Sequence, residues 1–262
     1  FLYLFKHPIL SLSFQPFLMK HSLLILAICL LYLGISSCKR ENNLKIERAF
    51  YYWKNENIDD ALMKNARSIN VKKIYFKIFE VDYSETRGNF PYNKNNYINY
   101  NYREKDSISI VPTIFIRNEI FKFNNNESLD LLADNIVFLV NKYCNDNFYN
   151  REKINFDEIQ IDCDWTKSTK EKYFYLLKKI KTISGKKLSC TLRLYPYAYS
   201  DIMGIPPVDK VSLMCYNLIS PLSEKAKNSI LDISELKKYL TKKVKYPVHI
   251  DLALPLFYWT HL

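Results

Sequence analysis

A chain of 262 residues with 38 lysines and arginines against 27 aspartates and glutamates, a net charge of +11 and only four glycines excludes several function classes. Gly34, Gly88, Gly185 and Gly204 lie too far apart to build a phosphate-cradling loop, so nucleotide-binding readings fall away. Lysines such as Lys178, Lys179, Lys181, Lys186 and Lys187 read as a solvated face with no nucleic-acid signature beside them, and anionic glycans or lipid head groups suit the charge better.

The chain opens at Phe1 rather than Met, and its first 18 residues carry one charge, Lys6. Met19-Lys20-His21 followed by the apolar run 22–35 has the layout of a secretory signal. Residues 1–18 are therefore expected to be upstream read-through and 19–37 the signal. Ile35-Ser36-Ser37-Cys38 resembles the bacterial lipobox, in which the cysteine carries lipid. The apolar stretch from Met19 is short for a membrane span, which takes about 20 residues. On this reading residues 38–46 are a polar tether, Cys38 is the lipidation site, and a single domain over 47–262 works at the cell envelope, held to a membrane by acyl chains. The mature net charge is then about +9.

Of the six cysteines, Cys29 leaves with the signal. Cys144 falls in a helical pattern, and Cys163, Cys190 and Cys215 fall in apolar strands without the short paired spacings of a zinc site, so packing roles are expected. A Cys163–Cys190 or Cys190–Cys215 bridge stays open in an oxidising compartment.

From residue 49 apolar strand-like runs alternate with helical patterns. Strands are expected at 49–53, 73–81, 107–116, 156–164, 187–195, 208–218 and 248–257. Helices are expected at 58–69, 129–143, 166–183 and 233–244, the third with Ser168 as cap and Glu171 at capping-box spacing. Residues 84–105, rich in Asn and Tyr, read as a loop. Seven strands with helices between them argue for an α/β fold, a (β/α)8 TIM-like barrel apparently truncated before an eighth strand. An open doubly wound sheet ranks second, because no phosphate-binding turn follows the first strand.

The most informative stretch is Phe156-Asp157-Glu158-Ile159-Gln160-Ile161-Asp162-Cys163-Asp164-Trp165. Its period-two alternation puts Gln160, Asp162 and Asp164 on one face and Ile159, Ile161 and Cys163 on the other. Two carboxylates on a buried face are costly, so such a pair either does proton chemistry, is neutralised by a cation, or caps the following helix. In a barrel the chemistry sits at the C-terminal strand ends, which here carry Glu80 and Asp82, Arg117, Asp162 and Asp164, Arg193 and Tyr195, Tyr216 and Asn217, and Asp251. Parity selects Gln160, Asp162, Asp164, Arg193, Tyr195, Met214 and Tyr216 for the lumen.

Residues 157–164 resemble the strand-four signature of family-18 glycoside hydrolases (chitinase-like), D-G-x-D-x-D-x-E, and Met214-Cys215-Tyr216-Asn217 resembles that family's M-x-Y-D. The chain from about 49 to 259 also resembles a group of bacterial lipoproteins with this barrel layout. The resemblance implies Asp164 in the place of the proton-donating Glu, Asp162 in that of the Asp that orients an N-acetyl group, Tyr216 in that of the Tyr that contacts it, and Asn217 beside it. Glu158 and Gln160 depart from the signature, and Asp164 is one methylene shorter than Glu. The implied activity is substrate-assisted, retaining hydrolysis of an amino-sugar glycan, with Gln160, Arg193, Tyr195, Asn217, Asp251, Trp259 and Glu80 binding substrate. Trp165, Tyr195, Tyr197, Tyr216, Tyr258 and Trp259 are available to stack on sugars, though each taken singly reads as packing. The alternative is a lipid-anchored barrel that binds glycan or a partner protein without turnover. A weaker one is a metal-assisted hydrolase using Glu80, Asp162, Asp164 and Asp251. Neither a cofactor nor a metal is otherwise called for.

Overall fold

A computed structural model describes residues 46–56, 58–92, 108–145, 153–220, 227–241 and 245–256. The expected signal, Cys38, and the aromatics Tyr258 and Trp259 lie outside them. Among the described residues no helix is long and apolar enough to cross a membrane.

The strands are β1 (Arg48–Tyr52), β2 (Val71–Ser84), β3 (Gly88–Tyr92), β4 (Ser109–Ile116), β5 (Glu158–Asp162), β6 (Lys187–Arg193), β7 (Lys210–Met214) and β8 (His249–Ala253). Seven of them form a parallel sheet in the order β1-β2-β4-β5-β6-β7-β8, which is chain order. An open doubly wound sheet reverses its order at a switch point. This sheet never does, so the barrel class is the one observed.

Curvature follows from contacts across it. Four strand spacings separate β2 from β7, roughly 19 Å if the sheet were flat. Yet the Lys210 ammonium on β7 donates to the Tyr75 hydroxyl on β2 at 2.6 Å. The sheet is curled, and these two side chains meet inside it.

Outside the curl, helices cover the apolar face. Helix α1 (Asp60–Ser68) is capped by Asp59, whose carboxylate accepts from the Leu62 amide at 2.7 Å. After the short α2 (Ile120–Phe123), helix α3 (Asn126–Asn145) buries Leu129, Leu132, Ala133, Ile136, Val137, Val140 and Cys144 at helical spacing. Helix α4 (Lys170–Ser184) buries Tyr173, Leu176, Leu177 and Ile180 and ends at Gly185, whose φ of +61° is the left-handed cap glycine tolerates. The short α5 (Leu194–Ala198) and α6 (Ser200–Met203) and then α7 (Ile233–Leu240) complete the set. Cys144, Cys163, Cys190 and Cys215 are buried free thiols, and burial raises every one of their pKa values, that of Cys190 to about 12. The packing role holds and neither bridge is formed.

Three local expectations are corrected. Ser168 does not cap α4: Thr169 stands at the cap, and its hydroxyl is occupied by the Thr166 amide at 2.9 Å and the Asn118 carbonyl oxygen at 2.6 Å. The 84–105 loop begins with a strand, because Gly88 at φ +64° turns the chain back and residues 88–92 pair antiparallel with the end of β2. The fifth expected strand stops at Arg193, and Tyr195 lies on α5 instead.

One further feature was invisible to period-two counting. The β2–β4 register slips between Lys77 and Phe79, leaving Ile78 as an extra residue, a β-bulge. Lys77 is paired with Thr113 and Phe79 with Ile114. The bulge reverses the phase, so Tyr75, Lys77, Glu80 and Asp82 share the inner face while Phe79 and Val81 face α3, where they line a mostly apolar cavity of about 220 Å³ with Leu132 and Ile136.

Candidate functional site

The inner residues of β5 rise through the lumen in tiers, and β6 supplies a hydrogen-bond partner for each. At the lowest tier the Ser189 hydroxyl donates to Glu158 at 2.6 Å. Lys210 lies 3.1 Å from Glu158 and 3.1 Å from Asp251, which also meets His249 at 3.0 Å. Tyr75 and Lys73 complete the cluster. Burial alone would lower the Lys210 pKa, but the Tyr75 hydrogen bond and the charges of Tyr75, Glu158 and Asp251 outweigh it and the ammonium is held above its ordinary value. This is a neutralised plug at the N-terminal end of the strands.

The middle tier is Gln160, fully buried, its amide donating to Ser189 at 3.2 Å and Ser212 at 3.3 Å. Its carbonyl oxygen has no hydrogen-bond partner among the described residues. Tyr51 projects here from β1, stacked on Tyr75 and Trp53. Its hydroxyl faces Ser212 and Gln160 without a bond of normal geometry.

The upper tier, at the C-terminal ends, gathers Asp162, Asp164, Arg193, Glu80 and Tyr216. Asp162 is partly buried, and Thr191 donates its hydroxyl to Oδ1 at 2.5 Å. Burial raises its pKa to about 6. The Thr191 bond works against this, the charge of Asp164 adds to it, Arg193 opposes it and Glu80 adds again. Asp164 is more exposed, and both of its oxygens are taken by Arg193, at 2.7 and 3.1 Å. Glu80 is buried against Lys77 at 2.5 Å. Tyr92 on the β3 hairpin accepts from Arg117, which also pairs with Asp82 at 3.3 Å. The Tyr216 phenol meets the Met214 sulfur at 2.8 Å, and burial, with the charge of Asp162 next, pushes its pKa to about 12. It stays protonated and able to donate.

Of the residues singled out from the sequence, Asp162, Asp164, Arg193, Tyr216 and Glu80 come together at this mouth, with Gln160 one tier below. Asp251 goes to the opposite end of the lumen with Lys210. Tyr195 is half exposed on α5 and stacks on Tyr199 at 4.6 Å, beyond the reach of strand parity. Asn217 sits in a left-handed turn at φ +54°, its amide donating to the Ile230 carbonyl. Trp165 is 4% exposed, stacked on Tyr173 with its indole donating to the Met203 carbonyl, and Tyr197 packs on Tyr246; both are packing residues. The four acids of the metal reading do not form one ligand set: Glu80 and Asp164 near the mouth each pair with a base, Asp251 lies at the far end with Lys210, and among the described residues no group of three His, Cys, Asp or Glu could hold a metal ion.

Thr191, Lys77, Glu158, Tyr75 and Lys210 were missed. Except for Lys77, which pairs with nearby Glu80, their partners are distant in sequence, and for Thr191 and Lys210 the available signal was period-two alternation of polar residues on β6 and β7.

Fold and site together define a parallel α/β barrel whose C-terminal mouth gathers carboxylates, Asp162 among them with its pKa raised by burial. No protein-family model matches this chain, and neither does any curated protein. Among solved structures it is similar to a chitinase from Ipomoea carnea, at 13% identity and a TM-score of 0.48 over 80% of this chain and 79% of that one.

Proposed function

We propose that the protein is a glycoside hydrolase-like barrel acting on an amino-sugar glycan, with Asp162 as the residue that carries the proton. The observation behind this is the convergence of Asp162, the Asp164–Arg193 pair, Glu80 and Tyr216 at one mouth. An acid that titrates near 6 is matched to proton transfer around neutrality. Asp164, which the motif resemblance puts in the donor's place, has both carboxyl oxygens occupied by the bidentate Arg193 guanidinium. Its charge serves instead to stabilise positive charge developing on the sugar ring. In this reading Asp162 protonates the leaving oxygen, the substrate's own acetamido oxygen attacks, and the Tyr216 phenol donates to that group. The signal-like start and Cys38 support an exported, lipid-anchored protein of the cell envelope.

The test is release of sugar from an N-acetylglucosamine oligomer and a broad glycan panel. Asp162→Asn is expected to lower turnover by about 10²–10⁴-fold. Wild-type protein that cleaves nothing in the panel overturns the catalytic reading. A second reading, glycan binding without turnover, is favoured by the Asp164–Arg193 clamp. Binding that survives replacement of both Asp162 and Asp164 would establish it.

A further inference from the structure

Along the inner face of β6 each side chain donates to an acid on β5 or just past it: Ser189 to Glu158, Thr191 to Asp162 and Arg193 to Asp164. Two of these acids also meet a cation, Lys210 for Glu158 and Arg193 for Asp164. Asp162 has the hydroxyl of Thr191 as its hydrogen-bond donor.

That hydroxyl owns a single hydrogen. Thr191 is 3% exposed, so no bulk water stands by to take over either role. While the hydrogen points at Oδ1, a proton arriving on the carboxylate goes to Oδ2 at no cost to the existing bond. Protonation at Oδ1 would force Thr191 to turn from donor to acceptor and leave its own hydrogen buried without a partner.

We infer that Thr191 is a positioning residue: by donating to Oδ1 of Asp162 it reserves Oδ2 as the atom that takes up and releases the proton. The inference rests on the reading of Asp162 as the proton-carrying acid. The charged and titratable groups whose electrostatics include Asp162 are Tyr51 from β1, Glu80 from β2, Asp164 and Cys163 just past β5, Arg193 and Cys190 from β6, Tyr173 from α4 and Tyr216 past β7. Thr191 adds direction to their field, because a hydrogen bond distinguishes two oxygens of one carboxylate where a distant charge hardly does.

The test is a titration of the Asp162 carboxyl carbon by NMR in wild type, Thr191→Val and Thr191→Ser, alongside the pH profile of kcat/KM. A donor to a carboxylate favours its charged form. Thr191→Val is therefore expected to move the Asp162 midpoint up by about 1–2 pH units and to lower kcat more than it raises KM, with Thr191→Ser restoring both. Thr191→Ala is the second variant if valine is not accommodated. An unmoved midpoint in a folded variant lacking the hydroxyl overturns the inference, as does a serine variant that behaves like valine. A shifted midpoint in a protein that cleaves no glycan leaves the positioning role standing and removes the hydrolase reading, so the two failures are separable.

Discussion

Glu158 and Asp162 leave the same face of the same strand, four residues apart, and their surroundings differ in kind. Glu158 is buried with Lys210 at 3.1 Å, Ser189 at 2.6 Å and Tyr75 beyond, so its charge is met by a charge. Asp162 is given a hydroxyl by Thr191, while the nearby cation Arg193 spends its guanidinium on Asp164. The lower acid is part of the barrel's structure. The upper one keeps its proton to higher pH than an ordinary carboxyl, because burial raises its pKa to about 6. One strand thus carries a carboxylate neutralised by a cation and one met by a hydroxyl, and the neighbours on β6 and β7 make the difference.

The largest expected effect breaks the lower region. Lys210→Met strands Glu158 and Asp251 without their shared cation and should cost about 3–5 kcal/mol, read from denaturant midpoints. Adding Glu158→Gln should recover part of that loss, and a strictly additive pair would contradict the neutralised-plug description.

The next sharpens the upper region. The folded pKa of Asp162, about 6, lies above the ordinary carboxylate value, so its contribution to stability is present at acid pH and is lost as pH rises through 6. Asp162→Asn abolishes that loss. It should be more stable than wild type by about 3 kcal/mol at pH 8, with the gain vanishing toward pH 4. A gain that does not depend on pH would mean Asp162 is not the titrating group. The smallest effect concerns the exposed pair: Asp164→Asn should change stability by less than about 1 kcal/mol at any pH, checked by thermal unfolding.

Much of the frame was legible in the sequence. The alternation of residues 156–164 gave β5 and the inward turn of Gln160 and Asp162, since one polar face against one apolar face leaves a strand a single choice. The order of strands also followed, because each run was separated from the next by a helical pattern. What stayed hidden was pairing over distance: Lys210 finds Tyr75 across 135 residues and Glu158 across 52, and no local pattern encodes either. The engagement of Asp164 stayed hidden for the same reason. Arg193 was seen at the right end of the right strand, but its bidentate grip on Asp164 depends on the register of β6 against β5. Tyr195 failed differently, because parity was carried two residues past the point where the strand becomes a helix.

The bulge at Ile78 makes β2 two half-strands of opposite phase. Counting by twos from Tyr75 would bring Phe79, Val81 and Tyr83 inside, and Tyr83 is found stacked on Phe123 outside. Inserting that one residue delivered Glu80 and Asp82 to the mouth without disturbing Tyr75 on the floor. The chemistry of the opening and the scaffold beneath it are therefore on separate gears: substitutions above the bulge can alter what the mouth recognises while the lower half of the strand keeps its grip on the rest of the sheet.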